Sequence, residues 1–195
     1  EGLVGVAIGG SVTIDTVVSQ GCRPVGRHFV ITRAQRNYIH ALGGKPALSQ
    51  LRQVFSGVSE ADRLLMQTAL HVGRVVDERK SQFETADLLV RNVIGFRPEE
   101  QSIAISDYVR AGQTIQFMVR DAAAASADLE AMLAPHRDRP EPMGALLFSC
   151  NGRGERFFGS KDHDLGQLHQ QLGDVATAGF FAAGEIGPVG GRPFL

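Results

Sequence analysis

The sequence predicts an α+β fold: a mixed β-sheet with β-α-β crossovers late in the chain and helices packed on the sheet. Three observations predict it. The first two-thirds of the chain alternates short β-rich runs with glycine- and proline-marked turns, the pattern of antiparallel neighbours. The last third instead runs strand, loop, helix, strand, loop, and a strand–helix–strand crossover joins two parallel strands. Hydrophobic residues make up 43% of the 195, enough for a sizeable core and too many for a disordered chain.

Taken in order, residues 1–26 read as two strands, at 3–8 and 12–18, split by Gly9-Gly10 and followed by a loop at 21–26. Residues 28–32 and 37–42 then form a hairpin across the polar stretch Arg33 to Arg36. Pro46 suits the first turn of a helix that sets Leu48, Leu51 and Phe55 on one face. Ser59 with Asp62 is a capping signature. It opens a helix whose buried stripe is Leu64, Leu65, Thr68, Ala69 and Val72, stopped at Gly73. Residues 77–85 are charged and patternless, a surface loop. Strands follow at 88–94, 102–106 and 114–120; in the last, Ile115, Phe117 and Val119 alternate with polar neighbours as a half-buried strand does.

Asp121 can cap a helix over 122–133, and residues 135–142 are a proline-bounded polar connector into a strand at 144–149. A helix at 162–172 and a strand at 178–183 complete the crossover, with the two strands parallel in one sheet. Strand 114–120, its helix and strand 144–149 read as a second crossover, which sets Arg120 and Asp121 on the edge shared by the late loops.

Parallel strands point their carboxyl ends the same way, and that edge is where open α/β sheets place ligands. Two glycine-rich loops fall there: Ser149-Cys150-Asn151-Gly152-Arg153-Gly154, and the run from Gly184 and Glu185 through Gly187 to Gly190 and Gly191. The amides of residues 151–154 suit an anion-binding nest. The plainer reading is a tight turn with Arg153 in solvent. The loop lacks the Gly-Lys-Ser/Thr ending of a phosphate-binding loop and the spacing of a dinucleotide fingerprint. Glu185 is a carboxylate held at the sheet edge, facing the Arg153 loop; its plainer reading is a solvated turn.

Cys150 with His163 or His169 would make a nucleophile and base, but nothing in the spacing favours it, and free cysteine is among the most buried residue types. Asp162-His163-Asp164 reads better as a charged helix start than as metal ligands. No Cys-x-x-Cys or His-Glu-x-x-His is present, so no metal and no cofactor are expected. Phe157-Phe158 and Phe180-Phe181 read as core and lid packing.

The composition excludes other classes. A formal net charge of −1 without a basic run argues against nucleic acid. No apolar run approaches the roughly 18–20 residues that span a bilayer, so no membrane role is expected. Two cysteines in a chain of this size point to a reducing compartment, the cytoplasm.

The runs Phe148 to Gly154 and Gly179 to Gly191 resemble the carboxyl-terminal half of the FIST domain, a sensory module named for F-box and intracellular signal-transduction proteins. Val17 to Gly26 resembles the join between its two halves. The resemblance covers nearly the whole chain. It implies that residues 1–26 end the preceding half, that residues 27–195 are the C-terminal-type domain, and that an N-terminal half is missing. It further implies a bacterial, non-enzymatic sensor of a small ligand, amino acids being the expected class, coupled to a signalling output domain or protein. The expected ligand residues are Ser149, Cys150, Asn151, Gly152, Arg153, Gly154, Gly184, Glu185, Gly187 and Gly190. An amino acid has one carboxylate and one ammonium. Arg153 and the loop amides suit the first, Glu185 the second, with Ser149 and Asn151 orienting either. The alternative is a protein-interaction platform, as the F-box members suggest; an enzyme using Cys150 is third.

Overall fold

The computed structural model describes residues 4–184, 187–189 and 192–194. Six of its strands close on themselves. Strand β1 (Cys22–Gln35) is long enough to pair twice, through residues 22–30 with β7 (Thr114–Arg120) and through residues 31–35 with β2 (Tyr38–Leu42). The ladder continues from β7 to β4 (Leu70–Val75), β5 (Leu88–Arg97) and β6 (Ser102–Ile105), and back to β2. Every pairing in it is antiparallel. The short β3 (Lys45–Pro46) hangs on β2.

Helices α1 (Ala47–Gly57) and α2 (Glu60–Thr68) pack on this sheet. Leu48, Val54 and Met66 join Phe29, Ile31, Ile39, Val72, Ile105, Ile115 and Phe117 in the main core. Ser59 caps α2 by accepting the Asp62 amide, at 3.1 Å. A second cluster on the far side of β7 holds Cys22, Val75, Leu88 and Met118. β7 is therefore buried on both faces, Thr114 and Gln116 included, and not half-buried as its alternation predicts. Its polar members are satisfied instead: Gln116 donates to the Gly26 carbonyl at 2.8 Å.

The rest of the chain builds a smaller layer. Helix α3 (Ala122–Leu133) starts at Asp121, which accepts the Ala124 amide at 3.1 Å. Strand β8 (Ala145–Cys150) leads through a four-residue helix, α4 (Glu155–Phe158), to α5 (His163–Leu172) and β9 (Thr177–Ala182). β8 and β9 are parallel, as the crossover predicts, with Phe148 beside Phe180. Leu129, Leu133, Leu168 and Val175 form the cluster beneath, with Val17, Ala145 and Leu172 packed on it. β10 (Gly187–Val189) and β11 (Arg192–Phe194) pair with each other. No helix among the described residues is long and apolar enough to cross a membrane.

The α+β class holds, but parallel and antiparallel strands do not share one sheet. The predicted second crossover fails because both edges of β7 are already occupied, by β1 and β4, so β8 cannot join it. The helix expected to run to Gly73 stops at Thr68. Residues 70–75 are drawn into β4 between β5 and β7, leaving Leu64 63% exposed where burial was expected. Here pairing overrides a helical apolar period. Residues 4–21 form no strand, and the loop expected at 21–26 is instead the opening of β1. A strand needs a neighbour to satisfy its backbone, and none of the described strands pairs with 4–21. The break foreseen at residue 26 falls inside β1.

Candidate functional site

The loop after β8 turns tightly. The Arg153 amide donates to the Cys150 carbonyl at 2.7 Å, the Gly152 amide to Cys150 Sγ at 3.5 Å, and the Asn151 amide to the Ala182 carbonyl at 2.8 Å. Three of the four amides assigned to an anion nest thus have partners within the fold.

Arg153 is not in solvent. Its side chain is 9% exposed and grips Asp164 with both arms, Nε to Oδ2 at 2.7 Å and Nη2 to Oδ1 at 2.8 Å. Ser149 Oγ donates to Oδ2 at 2.8 Å, and His163 Nδ1 lies 3.1 Å from Oδ1. Burial pushes the Asp164 carboxyl up, but the Arg153 fork and charge, Ser149 and His163 together hold it below the ordinary carboxylate range. Such a pair is costly to desolvate and holds only when its oxygens are as fully engaged as these.

Gly21 makes room for it. Its φ is +67°, and a Cβ there would sit 2.6 Å from Arg153 Nη1. The start of α5 thereby connects to the end of β8 and to the chain entering β1.

Arg120 enters the same region from the end of β7. It is paired in register with Cys22, its guanidinium lies 4.3 Å above the Phe157 ring, and it packs so close to Gly152 that a side chain there would collide. Among the described residues no carboxylate pairs with it. Phe158 likewise lies under Arg153, at 5.1 Å, and stacks on His163 at 3.6 Å with a 5° tilt. The two phenylalanines of α4 are platforms for two arginines, one paired with Asp164 and one without a carboxylate partner among the described residues.

Cys22 is buried, and burial pushes its thiol up to about 11 against the pull of Arg120 and Arg153. Cys150 is half-buried, and both cysteines are free.

Among the predicted site residues, the fold brings together Ser149 through Gly154. Ser149 points inward to Asp164; Cys150 and Asn151 stand at the strand end. Gly184 is exposed, and Gly187 lies beside Val18. Glu185 and Gly190 lie outside the described residues. Sequence reasoning missed Asp164 as the partner of Arg153, Gly21 as its seat, and Phe157 as the support of Arg120. The Asp162-His163-Asp164 cluster carried the signal for the first, read there as a helix start.

One further relay is present. Ser126 Oγ lies 3.0 Å from His163 Nε2, whose Nδ1 faces Asp164. The order matches a hydrolase triad, yet the chemistry does not follow. Asp164 is already neutralised by Arg153, so it is a poor support for an imidazolium. Ser126 sits inside α3, whose amides serve the helix and offer no oxyanion hole. Ser126 also accepts from Gln167 Nε2 at 2.8 Å, so the cluster ties α3 to α5. Among the described residues no group of three or more metal-ligating side chains gathers.

Two hollows lie elsewhere, one at β1–β2 and one between helices α1–α2 and the sheet. One of about 590 Å³ is lined by Arg33, His40, Glu99 and Glu100; an apolar one of about 330 Å³ is lined by Leu51, Phe55, Met66 and Phe96. Neither touches the 150–154 loop.

Comparison with known proteins divides the chain between residues 45 and 47, at β3. Residues 47–188 match the model of the FIST C domain, and residues 1–45 that of the FIST N domain. The uncharacterized protein Rv0628c of Mycobacterium tuberculosis is 46% identical over 199 residues, covering 100% of this chain and 51% of its own length. The uncharacterized protein Mb0898c of Mycobacterium bovis is 45% identical over 197 residues, again covering 100% of this chain and 51% of its own. The chain therefore spans about half the length of these curated relatives. No solved structure matches.

Proposed function

The chain belongs to the FIST family, whose domains are associated with signal transduction, and we propose that within it this chain senses a small carboxylate-bearing ligand, an α-amino acid being the class that fits best. The observation that carries the reading is Arg120. Its guanidinium lies over Phe157, with Nη1 and Nη2 against Gly152, and has no carboxylate partner among the described residues. A guanidinium seated over a ring and without a carboxylate of its own suits bidentate capture of a ligand carboxylate. Arg153, the cation that the sequence favours for this task, is committed to Asp164 and serves as scaffold. Asn151 and Cys150 border the same loop, and Glu185 on the second loop is the proposed partner of the ligand's ammonium group.

Binding without turnover is part of the proposal, since Ser126, the serine beside His163 and Asp164, is tied into α3 and its contact with α5. The signal passes to an output domain or partner protein in the cytoplasm, a compartment that fits two free thiols. Neither nucleic acid nor membrane enters this reading.

The test is calorimetry of the full-length protein against amino acids and small organic acids, with Arg120→Ala as the variant. Removing one partner of a desolvated charge pair costs about 2–5 kcal/mol, or more than tenfold in affinity. An unchanged affinity in Arg120→Ala would sink this charge assignment. If nothing in the panel binds, the sensory reading gives way to a protein-interaction platform.

A further inference from the structure

β8 and β9 make a two-stranded parallel sheet, and no described strand pairs with either outer edge. Its inner face carries Ala145, packed on the leucine cluster, and Ser149, bonded to Asp164 of α5. Its outer face carries Leu146, Phe148 and Phe180, which are 62%, 52% and 65% exposed, with the two rings meeting edge to face at 5.1 Å. Parallel strands are found almost only where both faces are covered, and an isolated two-stranded sheet is marginal in water. An uncovered face of this kind is a contact surface lacking its partner.

A second apolar stretch also lacks a strand partner among the described residues. The segment from Val4 to Ile14 is apolar on both sides of a bend at Gly10 and pairs with no described strand; Val4, Val6, Ile8, Val12 and Ile14 are all at least 55% exposed. It is anchored beside the start of β8. Asp15 pairs with Arg139 at 2.9 Å, and Val17 packs on the cluster that Ala145 joins.

We propose that the outer face of β8–β9, with the 4–14 segment, is the seat of the remainder of the FIST N domain. Three facts select that occupant. The 4–14 segment itself lies in the FIST N match, so the unpaired apolar chain anchored beside the start of β8 is N-domain chain. That match takes in only residues 1–45, against 47–188 for the C domain. The curated relatives are about twice as long, and this chain accounts for 51% of each. The N-domain remainder supplies a strand beside 4–14 and an apolar surface over Phe148 and Phe180. This surface requires no ligand at Arg120, so the two proposals fail separately.

The test uses the full-length gene product. Phe148→Thr and Phe180→Thr keep β propensity while removing apolar area, and Leu64→Gln on α2 is the control, because Leu64 is 63% exposed. Each Phe variant is expected to lower Tm by about 4 °C or more, and the control by less than about 2 °C. Hydrogen exchange in the unmodified protein is expected to find the amides of residues 4–14 strongly protected. Phe variants that melt like the control overturn the proposal, as do 4–14 amides that exchange at unprotected rates. A homodimer that Phe148→Thr converts to monomer by light scattering also overturns it, because the face then receives a second copy of the chain. If a Phe variant does not fold, the exchange measurement decides alone.

Discussion

Replacing Arg153 by alanine tests whether this residue is scaffold or ligand contact. Asp164 would keep a carboxylate only 8% exposed and lose both charged hydrogen bonds, retaining Ser149 and His163. Breaking a buried pair from one side typically costs about 3–5 kcal/mol, because the remaining charge is uncompensated. For a chain of this size that is a fall in Tm on the order of 10 °C. The pH dependence gives a second reading. In the parent the folded-state carboxyl lies below its ordinary value, so its stabilisation is present above the unfolded pKa and fades as pH falls through the folded one. In Arg153→Ala only burial and weaker partners act, and the carboxyl is neutralised at higher pH. The gap between parent and variant is therefore widest near neutrality and narrows through the acidic range. Arg153→Met with Asp164→Leu should recover most of the loss, since an apolar replacement of both partners leaves no buried charge. The assay is thermal unfolding by circular dichroism across pH. A single variant that melts within about 2 °C of the parent at neutral pH, or a double variant worse than the single, refutes the scaffold role and returns Arg153 to the ligand.

Maleimide labelling followed by peptide mass mapping should modify Cys150 in the native protein and spare Cys22, whose buried thiol is pushed up to about 11; equal rates at both would show that β1 opens there. Gly21→Ala should destabilise by roughly 1–2 kcal/mol or more in denaturant titration, because φ of +67° and the Arg153 contact act together; a neutral effect would place Arg153 elsewhere. Asp121→Ala should cost more than the ~1 kcal/mol of a lost N-cap, since Asp121 also accepts from Arg23 at 2.8 Å, whereas Ser59→Ala should cost about that much. Equal losses would mean that the bridge from Arg23 to Asp62 and Asp121 contributes nothing.

The elements that were legible are those whose signal is local. The α3 cap at Asp121 and the β1–β2 hairpin rest on residues a few positions apart, and the parallel β8–β9 crossover on one continuous strand–helix–strand run. The hairpin's reversal at Arg36-Asn37 even tolerates a positive φ at Arg36. What was not legible depends on who pairs with whom. His71 and Val72 carry a helical period as well as a strand-like one, and only their position between β5 and β7 decides it. The alternation in β7 is real, yet it cannot report that Cys22, Leu88 and Met118 build a second core on its supposedly polar side.

The site divides along the same line. The sequence places a strand end, a glycine turn and an arginine together, and all three are there. It says nothing of which carboxylate the arginine meets. Arg153 and Asp164 are eleven residues apart, separated by α4 and a left-handed turn at Gly159, and only the docking of α5 on β8 brings them to 2.7 Å. That commitment moves the expected chemistry by one arginine. A guanidinium locked to a buried carboxylate has little left to offer a ligand, whereas one seated over a ring and without a carboxylate of its own suits a ligand carboxylate. Arg120 was placed near the loop by a crossover that does not exist, and it reaches Gly152 by another route, from the end of a β7 strand held between β1 and β4. The adjacency survives because the α3 cap at Asp121 fixes where β7 must end.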